Sequence, residues 1–327
     1  MRFEEPKKDG SAIRSARHLP LLLFAVSLAF ASGPADAQVL YKYRGDNGEW
    51  IYSDQAPQED APVEIRDLQK GEVPPSVIVS NRSLNGRFRI IARNDYYAPV
   101  QVVLELQSLE NLTLPRSDQQ MHWVVPARST VLLLELGILN PAFPAYAEYQ
   151  DGWLPGDPNN AHFPAEPYRL PFAIASHNKI SQAYPMALTH STPDSIHAVD
   201  FVMPVGTDVH AARAGVVFDV ASTNFGGGFS YERYLHSANV VRILHDDGSY
   251  AVYAHLNWNS VRVKPGDVVE RGQYIADSGN TGVSSGPHLH FVVIRNKGLE
   301  LESVPIAFEG LDGGAVTPVS GMNLVAY

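Results

Sequence analysis

Residues 239–256, Asn239-Val-Val-Arg-Ile-Leu-His-Asp-Asp-Gly-Ser-Tyr-Ala-Val-Tyr-Ala-His-Leu256, hold two short β-rich runs on either side of a glycine turn. Branched and aromatic residues dominate both runs, and neither sustains a helical period, so each reads as a strand. Gly215-Val-Val-Phe-Asp-Val220 upstream and the run Phe291-Val-Val-Ile294 downstream repeat the pattern. From about residue 180 onward no helical period persists over about 12 residues, which predicts an all-β C-terminal domain. That domain is placed at 180–310, with a tail over 311–327.

Upstream, Val77-Ile-Val-Ser80, Phe88-Arg-Ile-Ile-Ala92, Val100-Gln-Val-Val-Leu-Glu-Leu106 and Thr130-Val-Leu-Leu-Leu-Glu-Leu136 are β-rich runs separated by Asn-Gly, Asn-Asp and Pro-bearing turns. They predict a β-sandwich over 75–145 with no recognisable catalytic spacing, hence a scaffold or spacer. Residues 146–179 are Pro-, Asn- and Gly-rich and read as a connecting segment. At 38–70, two aromatic runs flank Asp46-Asn47-Gly48, a hairpin signal, and a Pro- and acid-rich linker follows from Gln55 to Pro62. Residues 1–37 read as a signal peptide: Arg14 and Arg17, an apolar run from Leu21 to Ala31, then Ala35-Asp36-Ala37 as the cleavage pattern. The fold class is therefore mainly β: a small hairpin unit, a β-sandwich and an all-β C-terminal domain.

Composition narrows the function. The chain has 327 residues, 45% of them hydrophobic, which suffices for two or three domains. A net charge of -10 excludes a general nucleic-acid binder. Beyond residue 40 no apolar run approaches the ~18 residues of a membrane span, which argues against an integral membrane protein. With 0 cysteines, thiol catalysis and Cys-based metal sites are excluded, so any metal must be held by His, Asp or Glu. Nine of the 12 histidines lie between His177 and His290.

His288-Leu289-His290 opens a β run, so its two imidazoles share a face while Leu289 points the other way. That suits one metal ligand beside one acid/base group. The same alternation puts Tyr253 and His255 on a common face. Asp200 is a carboxylate inside the apolar run Ala198-Val-Asp-Phe201, a costly position unless the charge is paired or bound to a cation. His210, His236 and His245 read as packing or surface residues.

In order along the chain stand Asp200, Met203-Pro-Val-Gly-Thr-Asp-Val-His-Ala-Ala-Arg-Ala-Gly-Val-Val217, Tyr253-Ala-His-Leu256, Val263-Lys-Pro-Gly-Asp-Val-Val-Glu-Arg-Gly272 and Gly279-Asn-Thr-Gly-Val-Ser-Ser-Gly-Pro-His-Leu-His-Phe291. This series resembles the lysostaphin/LytM-type zinc metallopeptidases, which cut peptide bonds in bacterial peptidoglycan. The resemblance implies Zn2+ as cofactor, Asp200 and His290 as ligands, and His255 and His288 as catalytic histidines, without deciding which is the base. The family's remaining ligand often lies four positions before the aspartate, where this chain has Ile196. His197 sits at an odd offset that points it to the opposite face of a regular strand, whereas His190 lies in a polar loop that can return over the strand end. His190 is therefore taken as the third ligand, with His197 the alternative.

Residues 38–54 resemble a short module found near the N-termini of many proteobacterial envelope proteins, which implies export to the periplasm. The resulting expectation is an exported zinc endopeptidase whose partner is peptidoglycan, with further cell-wall enzymes as possible partners of the sandwich. Two alternatives stand beside it: an inactive LytM-like activator of a cell-wall amidase, and a secreted protease acting on Gly-rich proteins.

Overall fold

A computed structural model describes residues 39–44, 50–53, 64–67, 75–116, 120–186 and 188–327. The signal-peptide reading of 1–37, the Asp46–Gly48 turn and the linker at 55–62 lie outside the described residues. β1 (Val39–Arg44) pairs antiparallel with β2 (Trp50–Ser53) as the hairpin pattern predicts, and with β3 (Glu64–Asp67) along its other edge.

Six strands build the middle of the chain: β4 (Val77–Leu84), β5 (Arg87–Asn94), β6 (Val100–Glu110), β7 (His122–Val125), β8 (Ser129–Gly137) and β9 (Tyr146–Pro155). They form two three-stranded antiparallel sheets, β4-β5-β8 and β7-β6-β9. Alternation is clear in β5, where Phe88, Ile90 and Ala92 are buried with Val100, Val102 and Leu134 in one core. The start of the supposed connecting segment is thus a strand: β9 pairs with β6 from Tyr146 to Pro155. Its polar residues misled the composition reading, because one side of β9 faces water and only the other packs.

The C-terminal part contains β10 (His177–Gln182), β11 (Val199–Val202), β12 (Asp208–His210), β13 (Gly215–Ala221), β14 (Gly227–Gly228), α1 (Tyr231–Tyr234), β15 (Val240–Leu244) and β16 (Tyr250–Ala254). It continues with β17 (Val268–Val269), β18 (Tyr274–Asp277), β19 (Gly282–Val283), β20 (His288–Asn296), β21 (Leu301–Ser303), β22 (Phe308–Glu309), β23 (Ala315–Val316) and β24 (Asn323–Val325). Among the described residues α1 is the one helix, so the fold is mainly β, and no helix is long and apolar enough to cross a membrane.

A large antiparallel sheet runs β17-β13-β15-β16-β20-β11-β10-β24, with β21 beside β20. The residues read as a tail therefore return to close one edge of this sheet, through β24. On one face Val217, Val241, Ala251, Tyr253, Leu289 and Phe291 join the main core with Tyr168, Phe172 and Phe308. On the other, Phe218, Val240, Val252, Ala254, Val292 and Ile294 form a second cluster that includes Ala98 of the sandwich. The two faces follow from the strand period of two.

Candidate metal centre and groove

The second face floors a groove of about 820 Å³. The sheet register gathers the site. Asp200 on β11 lies opposite His290 on β20, and His290 lies opposite Ala254 on β16, the residue before His255. Leu289 is 0% exposed on the core face, while His288 and His290 line the groove. His190 reaches the same place from the loop after β10.

Asp200 is 3% exposed and sits between two imidazoles. His290 Nδ1 is 2.9 Å from Asp200 Oδ1, and His190 Nε2 is 3.2 Å from Oδ2. The ligand atoms of His190, Asp200 and His290 all lie within 4.8 Å of one another. A tetrahedral ion with bonds of about 2.0–2.1 Å needs donors about 3.3 Å apart, and the two contacts of Asp200, at 2.9 and 3.2 Å, are close to that spacing. Two imidazoles and one carboxylate are a donor set suited to zinc, and three protein ligands leave one position open. Burial disfavours the Asp200 carboxylate, but the contacts from His190 and His290 outweigh it and hold the pKa well below the usual carboxylate range. His197 is not brought to this group: its ring packs at 4.9 Å from Tyr184 and its backbone N–H donates to Ser303 Oγ.

His255 and His288 stand beside the triad, their ring centroids 4.5 Å apart. His255 Nδ1 is 2.7 Å from the Thr281 carbonyl, and His288 Nδ1 is 2.8 Å from that of Gly286. A carbonyl only accepts, so each Nδ1 carries a proton, and in the neutral ring the lone pair is left on Nε2. Burial first, and the neighbouring His288 and His290 next, push the His255 pKa down to about 3, which keeps that ring neutral.

The expectation that Tyr253 shares a face with His255 is overturned. Tyr253 is 0% exposed in the main core, where its hydroxyl accepts the Ala212 N–H at 2.7 Å. His255 follows the last residue of β16 and has φ of 60°, so strand alternation ends just before it and its ring swings to the groove. His245 is buried with Nδ1 on the Ala214 carbonyl, His210 contacts the Gly272 carbonyl, and His236 is exposed; none of the three lines the groove.

Sequence reasoning missed the groove walls. Tyr96, Trp153 and Pro155 of the sandwich line it, with Tyr96 and Trp153 rings 5.1 Å apart. Tyr96 also meets Phe218 of the floor at 6.4 Å. The sandwich is therefore more than a spacer. Phe229, in the loop after β14, and Tyr231, at the start of α1, also line the groove and are 80% and 64% exposed. At Gly227 a Cβ would lie 1.8 Å from the Asn280 carbonyl, so only glycine permits the β14–β19 contact that holds this loop.

The sequence profile of Peptidase family M23 matches residues 194–302. Lysostaphin of Staphylococcus staphylolyticus is 35% identical over 129 residues, which cover 37% of this chain and 24% of lysostaphin. The peptidoglycan DD-endopeptidase ShyA of Vibrio cholerae is 38% identical over 98 residues, covering 30% of this chain and 20% of ShyA. The chain thus spans about a quarter or less of the length of these curated relatives. The solved structure of lysostaphin from Staphylococcus simulans is 35% identical over 36% of this chain and 43% of that one, with a TM-score of 0.28. The M23 match holds Asp200, His255, His288 and His290 but begins after His190, and the sandwich lies outside it. The chain carries a Peptidase family M23 domain at residues 194–302, similar in sequence to the lysostaphin and ShyA peptidases.

Proposed function

We propose that the protein is an exported zinc endopeptidase that hydrolyses peptide bonds in peptidoglycan stem peptides or cross-links. The observation that carries this reading is the approach of His190, Asp200 and His290 to within 4.8 Å in a groove that also holds His255 and His288. Zinc, when bound by His190, Asp200 and His290, supplies a water of lowered pKa and polarises the scissile carbonyl.

The chain's own residues do the rest. One of His255 and His288 accepts the water proton on its free Nε2 and passes it to the leaving amine; the other donates to the developing oxyanion when its Nε2 also carries a proton, as the imidazolium. Their Nδ1 contacts with Thr281 and Gly286 aim both Nε2 atoms and fix the tautomer before substrate arrives. The groove walls, with Tyr96 and Trp153 on one side, exclude water from an extended peptide. An inactive amidase activator would lack a ligand or a catalytic histidine, so the presence of all five supports hydrolysis. The name of ShyA, a peptidoglycan DD-endopeptidase, supports peptidoglycan as substrate. In this layout residues 1–37 are removed on export, the periplasm is the destination, and the sandwich and peptidase domain share the groove.

The test is zinc content and hydrolysis measured together. Wild type binds one zinc and cleaves cross-linked muropeptides, and Asp200→Ala loses both. Preference for a pentaglycine peptide over muropeptides would overturn the substrate assignment in favour of the Gly-rich protease.

A further inference from the structure

Ile180 on β10 pairs with Phe201 on β11, and Gln182 pairs with Asp200, so two residues of one strand span a single step of its partner. In a regular strand residues 180 and 182 would point the same way. The bulge at Ser181 breaks that rule. Ile180 enters the core at 0% exposure, whereas Gln182 turns to the groove face and joins Asp200 and His290 in one row across three strands.

There the Gln182 amide makes contacts on both sides. Its carbonyl oxygen accepts the Leu188 N–H at 2.8 Å and the Thr189 N–H at 3.1 Å. Backbone N–H groups only donate, which fixes the amide orientation and leaves the Nε2 donors for Asp200 Oδ2 at 2.9 Å and Thr189 Oγ1 at 3.1 Å. The residue after this clasped pair is His190. His190 Nδ1 is buried and has no hydrogen-bond partner among the described residues, so the ring is aimed through its backbone.

We propose that Gln182 is a positioning residue for the metal centre: it delivers the loop-borne His190 to the ion and orients Asp200 beside it. The inference rests on the metal-site reading above. It accounts for how a residue ten positions before Asp200, outside the M23 match, is brought to the same site as one on the strand itself.

The test is zinc affinity of the full chain, measured by competition with a chromogenic chelator, for wild type, Gln182→Met, His190→Ala and the double variant. Gln182→Met removes every contact at similar volume and is expected to weaken zinc about 10–100-fold, the usual effect of losing a group that orients a ligand. In the His190→Ala background the same change should cost no more than about threefold, because its main route of action is gone. Gln182→Asn, which keeps the amide but cannot span from Asp200 to the loop, should lose affinity like Gln182→Met and stands in if that variant does not fold. Unchanged affinity in a folded Gln182 variant would overturn the proposal. A full-sized loss in the His190→Ala background would overturn the delivery of His190 as the way Gln182 acts. A wild-type chain that binds no zinc would instead overturn the metal-site reading itself.

Discussion

Replacing Tyr253 by phenylalanine separates the core face of the sheet from its groove face. Tyr253 stands only two residues before His255, yet its ring packs 5.1 Å from Phe291 in the core and is 0% exposed. Its one visible task is to accept the Ala212 N–H at 2.7 Å. Phenylalanine keeps the ring, so no large cavity opens, but the buried Ala212 N–H loses its acceptor. An unpaired buried donor costs about 1–3 kcal/mol. For a domain of this size each kcal/mol lowers Tm by about 2–4 °C, so Tm should fall by roughly 2–12 °C. Thermal unfolding by circular dichroism measures the fall, and muropeptide cleavage well below Tm measures activity. Tyr253→Phe should keep wild-type kcat/KM at that temperature. A collapse of kcat with Tm unchanged would place the hydroxyl in the chemistry and refute the assignment of faces.

Other outcomes follow from the same geometry. His190→Ala should weaken zinc binding sharply but leave it measurable through Asp200 and His290, while His197→Ala should leave zinc content and activity intact; equilibrium dialysis distinguishes them. His255→Ala and His288→Ala should retain zinc yet each lose about 10²–10⁴ in kcat, the contribution of a positioned acid or base. The buried His245, whose pKa burial lowers from 6.5 to about 4, binds its proton in the unfolded chain before the folded one. Stability therefore falls as pH drops from about 6.5 towards 4, by about 2–3 kcal/mol at pH 4.5 from this group alone. Urea unfolding of wild type and His245→Asn between pH 7 and 4.5 checks this, since the variant should lose that much less.

Much of the site was legible because strand chemistry is local. The His288-Leu289-His290 alternation and the apolar run around Asp200 place those side chains with no knowledge of which strands pair. The failures share a different cause. Tyr253 and His255 parted because a positive φ at residue 255 ends the alternation, and no residue type there announces it. The strand at 146–155 was hidden because one side of it is wet and its partner β6 lies about forty residues upstream in sequence. Gln182 was invisible because its role depends on a bulge and on the register with Asp200. The choice of His190 over His197 rested on a face argument, and the loop brings His190 to 3.2 Å of Asp200 while His197 packs on Tyr184. Tyr96 and Trp153 reach the groove by packing between two parts of the chain, which no local pattern encodes.

The most direct measurement is digestion of purified peptidoglycan by the protein lacking residues 1–37, with and without a zinc chelator, resolved by mass spectrometry. Cross-linked dimers should disappear as monomers grow, and the chelator should stop the conversion until zinc is restored. Dimers that persist in the presence of folded, zinc-loaded protein would contradict the assignment of this groove to peptidoglycan hydrolysis.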